Sequence, residues 1–212
     1  MIKIYGAFPA RSFRVMWALE ELGKDYELRP VDLRRRMADE EFLALNPSGF
    51  LPAMQDGDVT MVDSIAMLEY LAARYDDKGV LAPAAGEKCF PDYQQFLHIG
   101  ESGLAAFLNI IVGSKFMAPE NEKDNFGARM AERLFESRLA LVTRQLGRGP
   151  MMAGDRFSAA DISVIYALGM AERLGLADTF GPEIADYRTR MAARPAFKRA
   201  SGKWAPAAPP AS

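Results

Sequence analysis

The chain has 212 residues, of which half are hydrophobic and a quarter are charged, and its formal net charge is −2. This composition is that of a globular protein with one large domain or two small ones, and the near-neutral charge argues against a nucleic-acid or anionic-membrane partner. The opening MIKIYGAFPA is too short for a signal peptide, and no uncharged stretch approaches the roughly 20 apolar residues of a membrane span.

The chain contains one cysteine, Cys89, and one histidine, His98. A single cysteine cannot form an internal disulfide and is typical of a reducing compartment, so we expect a cytoplasmic protein. Two such residues are too few for a metal site built on sulfur and nitrogen ligands, and we expect no metal cofactor. We expect His98 to be a packed helix residue.

The first part of the chain alternates between strand-like and helix-like segments. The patterns predict a strand at 2–5, a helix at 12–23 that stops at Gly23, and a second strand at 26–31. Strand, helix and strand in this order predict a right-handed βαβ unit with parallel strands.

The next segment predicts a hairpin between two helices. Asn46-Pro47-Ser48-Gly49 has the residue types of a type I turn, and Asp56-Gly57 is a hairpin signal. The elements expected here are a short helix, two strands and a longer helix, at 40–45, 52–55, 59–62 and 64–75.

The pattern becomes purely helical after a segment rich in turn formers, 77–86. Helices are predicted at 87–113, 120–146, 158–174 and 182–193. Residues 162–170 are apolar on almost every side, which predicts a helix buried inside a bundle. At its start, Ser158 and Asp161 have the spacing of a capping box.

The fold expected from these patterns is a small α/β domain followed by an all-helical domain. Its limits are 1–76 for the α/β domain, 77–86 for a linker and 87–204 for the helical domain. The last residues, 205–212, are rich in proline and alanine and are predicted to be disordered.

Four segments, in their order and spacing, resemble cytosolic glutathione S-transferases of bacterial type: FRVMWALEELGKDYEL, FLALNPSGFLPAM, VDSIAMLEYLAARY and GDRFSAADISV. The similarity extends from residue 2 to about residue 200. It implies a thioredoxin-like N-terminal domain that holds most of the glutathione, an all-α helical-bundle C-terminal domain, and a homodimer. The implied activity is transfer of the glutathione thiolate, as co-substrate, to a small hydrophobic electrophile.

The resemblance also explains Pro52, which stands where a strand begins although proline cannot donate to a sheet ladder. In the family this proline follows a cis peptide bond. The bend turns the N–H and C=O of Leu51 outward, so that glutathione pairs with them like an added strand.

Asp63 and Ser64 match the family's acidic-Ser pair at the next helix start. The resemblance implies that the hydroxyl and N–H of Ser64 hold the γ-glutamyl carboxylate at this helix N-terminus, and that Asp63 faces the ammonium group. The implied glutathione-binding residues are Arg11, Phe50, Leu51, Pro52, Asp63 and Ser64.

The family's chemistry requires glutathione as a thiolate, because the thiol is a poor nucleophile. The resemblance implies that the donor to the sulfur lies between the first strand and the first helix, and Ser12, the only hydroxyl in that loop, is therefore our candidate catalytic residue. Serine-type relatives often show Ser-Arg-Ser, whereas this chain has Ala10-Arg11-Ser12. Three alternatives stay open: the N–H of Arg11 or Ser12, the Tyr5 hydroxyl, or Ser12 as a plain N-cap with weak thiol activation.

A second departure is Phe50, where the family often has a polar residue that binds the glycyl end of glutathione. Arg34, Arg35 or Arg36 could supply the missing charge, because guanidinium groups match carboxylates. The pocket for the hydrophobic substrate is expected between the domains. Its candidate residues are Phe8, Phe107, Ile111, Phe116 and Met117.

Two other functions remain open at this point. One is glutathione-dependent isomerisation or peroxide reduction on the same scaffold. The other is a non-catalytic module for ligand binding or protein association, which Ala10 and Phe50 keep under consideration.

Overall fold

The computed structural model describes residues 1–203, whose contacts divide the chain into two units. Among these residues, the first unit comprises Met1–Met67 together with 192–203, and the second comprises Leu68–Met191. The domain limits given above remain predictions. The tail predicted at 205–212 lies outside the described residues.

A four-stranded sheet forms the centre of the first unit. Its strands are β1 (Ile2–Gly6), β2 (Tyr26–Pro30), β3 (Ala53–Asp56) and β4 (Val59–Val62), in the order β2-β1-β3-β4. β1 is parallel to β2 and antiparallel to β3, and β3 is antiparallel to β4. The parallel pairing of the two strands in the predicted βαβ unit and the predicted hairpin are therefore confirmed.

Three helices follow these strands in the chain, α1 (Ser12–Leu22), α2 (Glu40–Leu45) and α3 (Ser64–Tyr75), and the first turn of α3 belongs to the first unit. α1 ends as predicted at Gly23, whose φ of 62° is in the left-handed region that suits glycine. At the start of α2, the Asp39 side chain accepts a hydrogen bond from the Phe42 N–H. The residues next to each helix end thus determine where α1 ends and where α2 begins.

The turn that precedes Phe50 has no room for a side chain at Gly49. Its φ is 68°, and a Cβ there would lie 2.4 Å from the Met37 sulfur. The segment just before α2, which carries three consecutive arginines, therefore lies directly against this turn.

A last helix, α9 (Pro195–Gly202), was not among the predicted helices and packs against α1 in the first unit. The Phe197 ring lies edge-on to Trp17 and Phe13, at centroid distances of 4.9 and 5.1 Å. Arg194 donates two hydrogen bonds to the Glu21 carboxylate, of 2.7 and 2.9 Å. α9 thus contributes to the core of the first unit.

The regular elements of the second unit are all helices within its described residues, apart from isolated bridges that pair Met151 with Gly154 and Ala153 with Arg156. A helical run, Phe90–Met117, contains α4 (Phe90–His98) and α5 (Ala106–Val112), each followed by a π-helical segment, Ile99–Ala105 and Gly113–Met117. The prediction of one regular helix at 87–113 did not anticipate these π segments. The remaining helices are α6 (Phe126–Leu146), α7 (Ala159–Arg173) and α8 (Pro182–Ala193).

The run Phe90–Met117 is long and apolar enough to cross a membrane by length and composition alone. This is a weak indication, because a core helix of a soluble protein meets the same criteria. Here α4 and the π segment after it pack against α7. The His98 side chain is more than half exposed, and its Nε2 lies 3.4 Å from a Glu69 carboxylate oxygen. The expectation of a packed His98 was therefore wrong, because the buried face of α4 uses Tyr93, Phe96 and Leu97.

α7 is the central helix that the sequence predicted, with every residue from 157 to 168 buried. It approaches the preceding helical run closely at Gly100, where a Cβ would lie 2.6 Å from the backbone carbon of Ser163. The Ser163 hydroxyl donates to the Leu97 carbonyl at 2.7 Å. This hydrogen bond joins α7 to the end of α4, next to the π segment.

The predicted capping box at the start of α7 is confirmed. The Ser158 oxygen accepts from the Ala160 N–H at 3.3 Å, and the Ser158 N–H donates to the Asp161 carboxylate at 2.8 Å. Both groups are buried.

Replacing Ser158 with alanine is expected to lower the free energy of unfolding by about 1 kcal/mol, because one backbone N–H of α7 loses its acceptor. Urea denaturation followed by circular dichroism measures this loss. The exposed Ser102 provides the control, since its replacement by alanine should change stability by less than about 0.5 kcal/mol. A Ser158→Ala variant as stable as the wild type would contradict the prediction.

Candidate functional site

The register of the sheet brings three predicted site segments to one end of the first unit. Tyr5, Ala53 and Val62 lie side by side on β1, β3 and β4. The C-terminal ends of β1 and β4 and the N-terminal end of β3 therefore lie at this end of the sheet. Since neighbouring strands are about 4.8 Å apart, the loop after β1, the Leu51–Pro52 pair and the Asp63–Ser64 pair are neighbours.

The side chain of Leu51 is packed in the first unit, while the backbone N–H and C=O of Leu51 remain available to a ligand. The Leu51–Pro52 bond is cis, as the resemblance implied, and Phe8–Pro9 is a second cis bond that the sequence analysis did not identify. The Leu51 side chain packs against a buried cluster of Tyr5, Val31, Phe42 and Ala53. Within residues 1–203, the Leu51 N–H and C=O make no hydrogen bond.

Ser64 is buried at the first position of α3, directly after an unusual backbone conformation at Asp63. Asp63 has φ 75°, in the left-handed region, which costs a residue with a side chain about 1 kcal/mol. Its Oδ1 accepts from the N–H groups of Ile65 and Ala66 at 2.8 and 3.0 Å. In the described part of the chain, the Ser64 N–H has no acceptor and remains available at the positive end of α3.

Ser12 is fully buried, and its hydroxyl closes the loop that precedes α1. The Ser12 oxygen donates to the Ala7 carbonyl at 2.9 Å and accepts from the Ala7 N–H at 3.2 Å. The N-cap of α1 is the half-buried Arg11, and no side chain caps this helix. The alternative of Ser12 as the N-cap is therefore wrong, because its hydroxyl turns back to Ala7.

The Tyr5 hydroxyl is used within the packing of the sheet. It lies 2.8 Å from a Glu41 carboxylate oxygen and 2.9 Å from the Gln55 side-chain oxygen. Burial, together with the hydrogen bond to Glu41, raises the pKa of Tyr5. A hydroxyl with these two partners and a raised pKa is poorly placed to stabilise a thiolate.

The Phe50 side chain is 72% exposed, while its backbone is fixed by neighbours in the turn. Its carbonyl accepts from the Asn46 side-chain amide, and its N–H donates to the Ser48 hydroxyl at 3.4 Å. Of the three nearby arginines, Arg36 donates to the Leu33 carbonyl at 2.6 Å. Arg34 and Arg35 are exposed.

The candidates for the hydrophobic pocket differ in exposure. Phe8, in the first unit, is 56% exposed. In the second unit, Phe116 and Met117 are exposed, Phe107 is half-buried and Ile111 is on the buried side of α5. Among residues 1–203, no three His, Cys, Asp or Glu side chains are grouped as metal ligands.

Comparisons with known proteins agree with this architecture. A family model described as "Glutathione S-transferase, N-terminal domain" matches residues 10–74. Glutathione S-transferase 3 of Zea mays is 32% identical over 212 residues, covering 93% of this chain and 92% of the relative. This chain belongs to the glutathione S-transferase family. The transferase is also 29% identical to a maleylacetoacetate isomerase of Pseudomonas aeruginosa, over 94% of this chain and 95% of that protein.

A solved structure confirms the fold of this transferase. The crystal structure of a glutathione transferase from Methylococcus capsulatus superposes with a TM-score of 0.83 and 29% identity, covering 96% of this chain and 98% of that one. The family resemblance and the thioredoxin-like and helical fold expected from the sequence are thus confirmed. As a family member, the chain is an enzyme of the glutathione transferase type.

One buried residue of the transferase site was missed by the sequence analysis. Arg14, on α1, has no exposed surface, and its Nη1 lies 3.1 Å from the Ser64 hydroxyl oxygen. The sequence signal that could have identified Arg14 was its position between two apolar residues, Phe13 and Val15, which are both buried. A charged side chain is fully buried only when it has a partner, so its burial points to a specific contact.

Proposed function

We propose that the first unit of this transferase binds glutathione as an extended peptide along Leu51. The supporting observation is that polar backbone groups without partners in the described chain converge at one end of the sheet, at Leu51, Ser64 and Ser12. The Leu51 N–H and C=O pair with the cysteinyl residue as an added strand would. The Ser64 N–H and hydroxyl hold the γ-glutamyl carboxylate, and the exposed Asp63 carboxylate faces the ammonium group.

The glycyl carboxylate is assigned to Arg34 or Arg35. Both are exposed on a segment that lies against the turn before Phe50, whereas Arg36 already donates to a backbone carbonyl. Arg11, Phe50 and Pro52 complete the proposed glutathione contacts.

Ser12 is the proposed catalytic residue, acting on the sulfur. Its hydroxyl hydrogen is donated to the Ala7 carbonyl and the residue has no exposed surface, so Ser12 acts by closing the loop in front of α1. The first N–H groups of a helix carry partial positive charge and favour an anion. The loop closure keeps this helix start in place beside the sulfur.

The reaction that we propose is conjugation. The bound thiolate forms a bond to an electrophilic carbon, and the leaving group departs with its electron pair. Phe8, Phe107, Ile111 and Phe116 remain the proposed contacts of a small hydrophobic substrate. A homodimer and a cytoplasmic location also belong to the proposal.

Isomerisation is a second candidate, favoured by the similarity to a maleylacetoacetate isomerase. Here the same thiolate adds to the substrate and leaves again, so the glutathione site is unchanged. A non-catalytic module is the remaining alternative, because Ala10 and Phe50 replace polar residues that many relatives carry.

The decisive experiment is retention of the purified protein on immobilised glutathione, followed by turnover of chlorodinitrobenzene. Retention with turnover supports the transferase, and turnover of maleylacetoacetate alone would favour the isomerase. Retention without turnover on a broad panel of electrophiles would favour the binding module. Failure to bind glutathione would overturn the proposal.

Ser12→Ala is expected to lower kcat more than it weakens glutathione binding, whereas Ser64→Ala should raise the Kd for glutathione about tenfold with little change in kcat. The physical reason is that Ser12 orders the loop at the sulfur, while Ser64 contacts the far end of the tripeptide. Steady-state kinetics and calorimetric titration separate the two effects. Wild-type behaviour in both variants would show that the site is assigned wrongly.

A further inference from the structure

We propose that Arg14 is a positioning residue of the γ-glutamyl site, which directs the Ser64 hydroxyl at the ligand carboxylate and supplies positive charge behind it. The inference rests on the proposed binding of glutathione and extends it to a residue that does not itself touch the ligand. It is carried by the contact between the Arg14 guanidinium and the Ser64 hydroxyl.

The contact joins two elements that are far apart in sequence. Arg14 lies in the first turn of α1 and Ser64 begins α3, 50 residues later. Arg14 has no exposed surface and Ser64 is 3% exposed, so their 3.1 Å hydrogen bond is shielded from water. Hydrogen bonds that involve a charged group in such surroundings are stronger than those between neutral groups.

The direction of this hydrogen bond determines what the hydroxyl can do. A guanidinium group has only donors, so the Ser64 oxygen must be the acceptor. The single hydroxyl hydrogen is then left to donate elsewhere. Within residues 1–203 no acceptor takes it, and the Ser64 N–H next to it is also available. Arg14 therefore leaves Ser64 with two donors for one anionic group.

The positive charge of Arg14 attracts an anion, as the N-terminus of α3 does. A helix N-terminus attracts an anion through its partial positive charge, and a buried full charge close behind it adds to that attraction. The neighbouring Asp63 directs its Oδ1 to the N–H groups of Ile65 and Ala66, at 2.8 and 3.0 Å, and so leaves the N–H of Ser64 to a ligand. A carboxylate is the chemical group that matches this set of donors and charge.

The test compares glutathione with an analogue in which the γ-glutamyl α-carboxylate is a carboxamide. We measure the Kd of both ligands for the full-length wild type, Arg14→Met and Arg14→Lys by calorimetric titration. Wild type should prefer glutathione by about tenfold or more, and Arg14→Met should lose glutathione affinity by a similar factor while its affinity for the analogue changes less than about twofold. The ratio of the two Kd values does not depend on how much of the variant is folded.

Arg14→Lys keeps the positive charge and should retain part of the preference for glutathione, which provides a second readout if Arg14→Met folds poorly. In a Ser64→Ala background, the effect of Arg14→Met should shrink, because the hydroxyl that it directs is gone.

Arg194→Met is the matched control. Arg194 lies in the same unit and pairs with Glu21, so its loss should affect stability without changing the preference between the two ligands. If Arg14→Met weakens both ligands equally, Arg14 has only a structural role and the inference is overturned. If wild type binds neither ligand, the proposed function itself fails, which is a distinguishable result.

Discussion

Replacing Trp17 with alanine is expected to lower the free energy of unfolding by about 3–5 kcal/mol. Trp17 has no exposed surface, and its ring lies edge-on to Phe197 at a centroid distance of 4.9 Å. Its indole N–H donates to the Glu21 carboxylate at 2.9 Å, and Arg194 reaches the same carboxylate. The substitution therefore leaves a cavity where α1 and α9 meet and removes one donor from Glu21. Urea denaturation followed by far-ultraviolet circular dichroism measures the loss.

Phe126→Ala is the control for this prediction, because Phe126 is 69% exposed and its replacement should cost less than about 1 kcal/mol. Phe197→Ala should also destabilise the protein, and the double variant should lose less than the sum, since the two rings contact each other. Equal urea midpoints for Trp17→Ala and wild type would show that the packing of α9 on α1 contributes nothing to stability.

Replacing Asp161 with alanine is the second large effect, with an expected loss of about 3–5 kcal/mol. The fully buried carboxylate accepts from the Met152 N–H at 2.9 Å, the Tyr187 hydroxyl at 2.7 Å and the Ser158 N–H at 2.8 Å. Burial raises the pKa of the Asp161 carboxyl, and these donors act against that shift. Alanine would remove the acceptor that these three buried donors share. Denaturation by urea gives the magnitude.

Ser158→Ala provides the comparison for Asp161, because it removes one capping bond at the same helix start. Its expected cost of about 1 kcal/mol should be clearly smaller. Asp161→Asn keeps one side-chain acceptor, so its loss of stability should lie between those of Ser158→Ala and Asp161→Ala. An Asp161→Ala variant no less stable than Ser158→Ala would contradict the view that Asp161 joins the start of α7 to the loop before it and to α8.

Much of the fold could be predicted because short-range chemistry sets the limits of its elements. Gly23 ends α1, Asp56-Gly57 connects β3 to β4, and Ser158 caps α7. Each of these signals acts over a few residues and can be read without knowing what packs nearby. The π segments could not be predicted in this way, because the one at Gly100 accompanies the close approach of Ser163 from another helix.

The sequence predicted those parts of the candidate site that belong to recognisable backbone motifs. Leu51, Pro52, Asp63 and Ser64 were identified by resemblance, and the sheet register brings them together. The prediction for the Ser12 hydroxyl as N-cap failed because its partner, Ala7, lies on the other side of the loop. Arg14 was missed because a charge on an amphipathic helix is normally assigned to the solvent side.

The sequence by itself determined the order of most strands and helices along the chain, the end of α1, the cap of α7, and the family to which the chain belongs, because these depend on neighbouring residues and on motifs. Only the tertiary structure decided that α9 returns to α1 and that Arg14 reaches Ser64. In both cases the contacting residues are distant in the chain, so local patterns place these polar side chains in water. Burial in the folded protein requires them to form specific contacts instead.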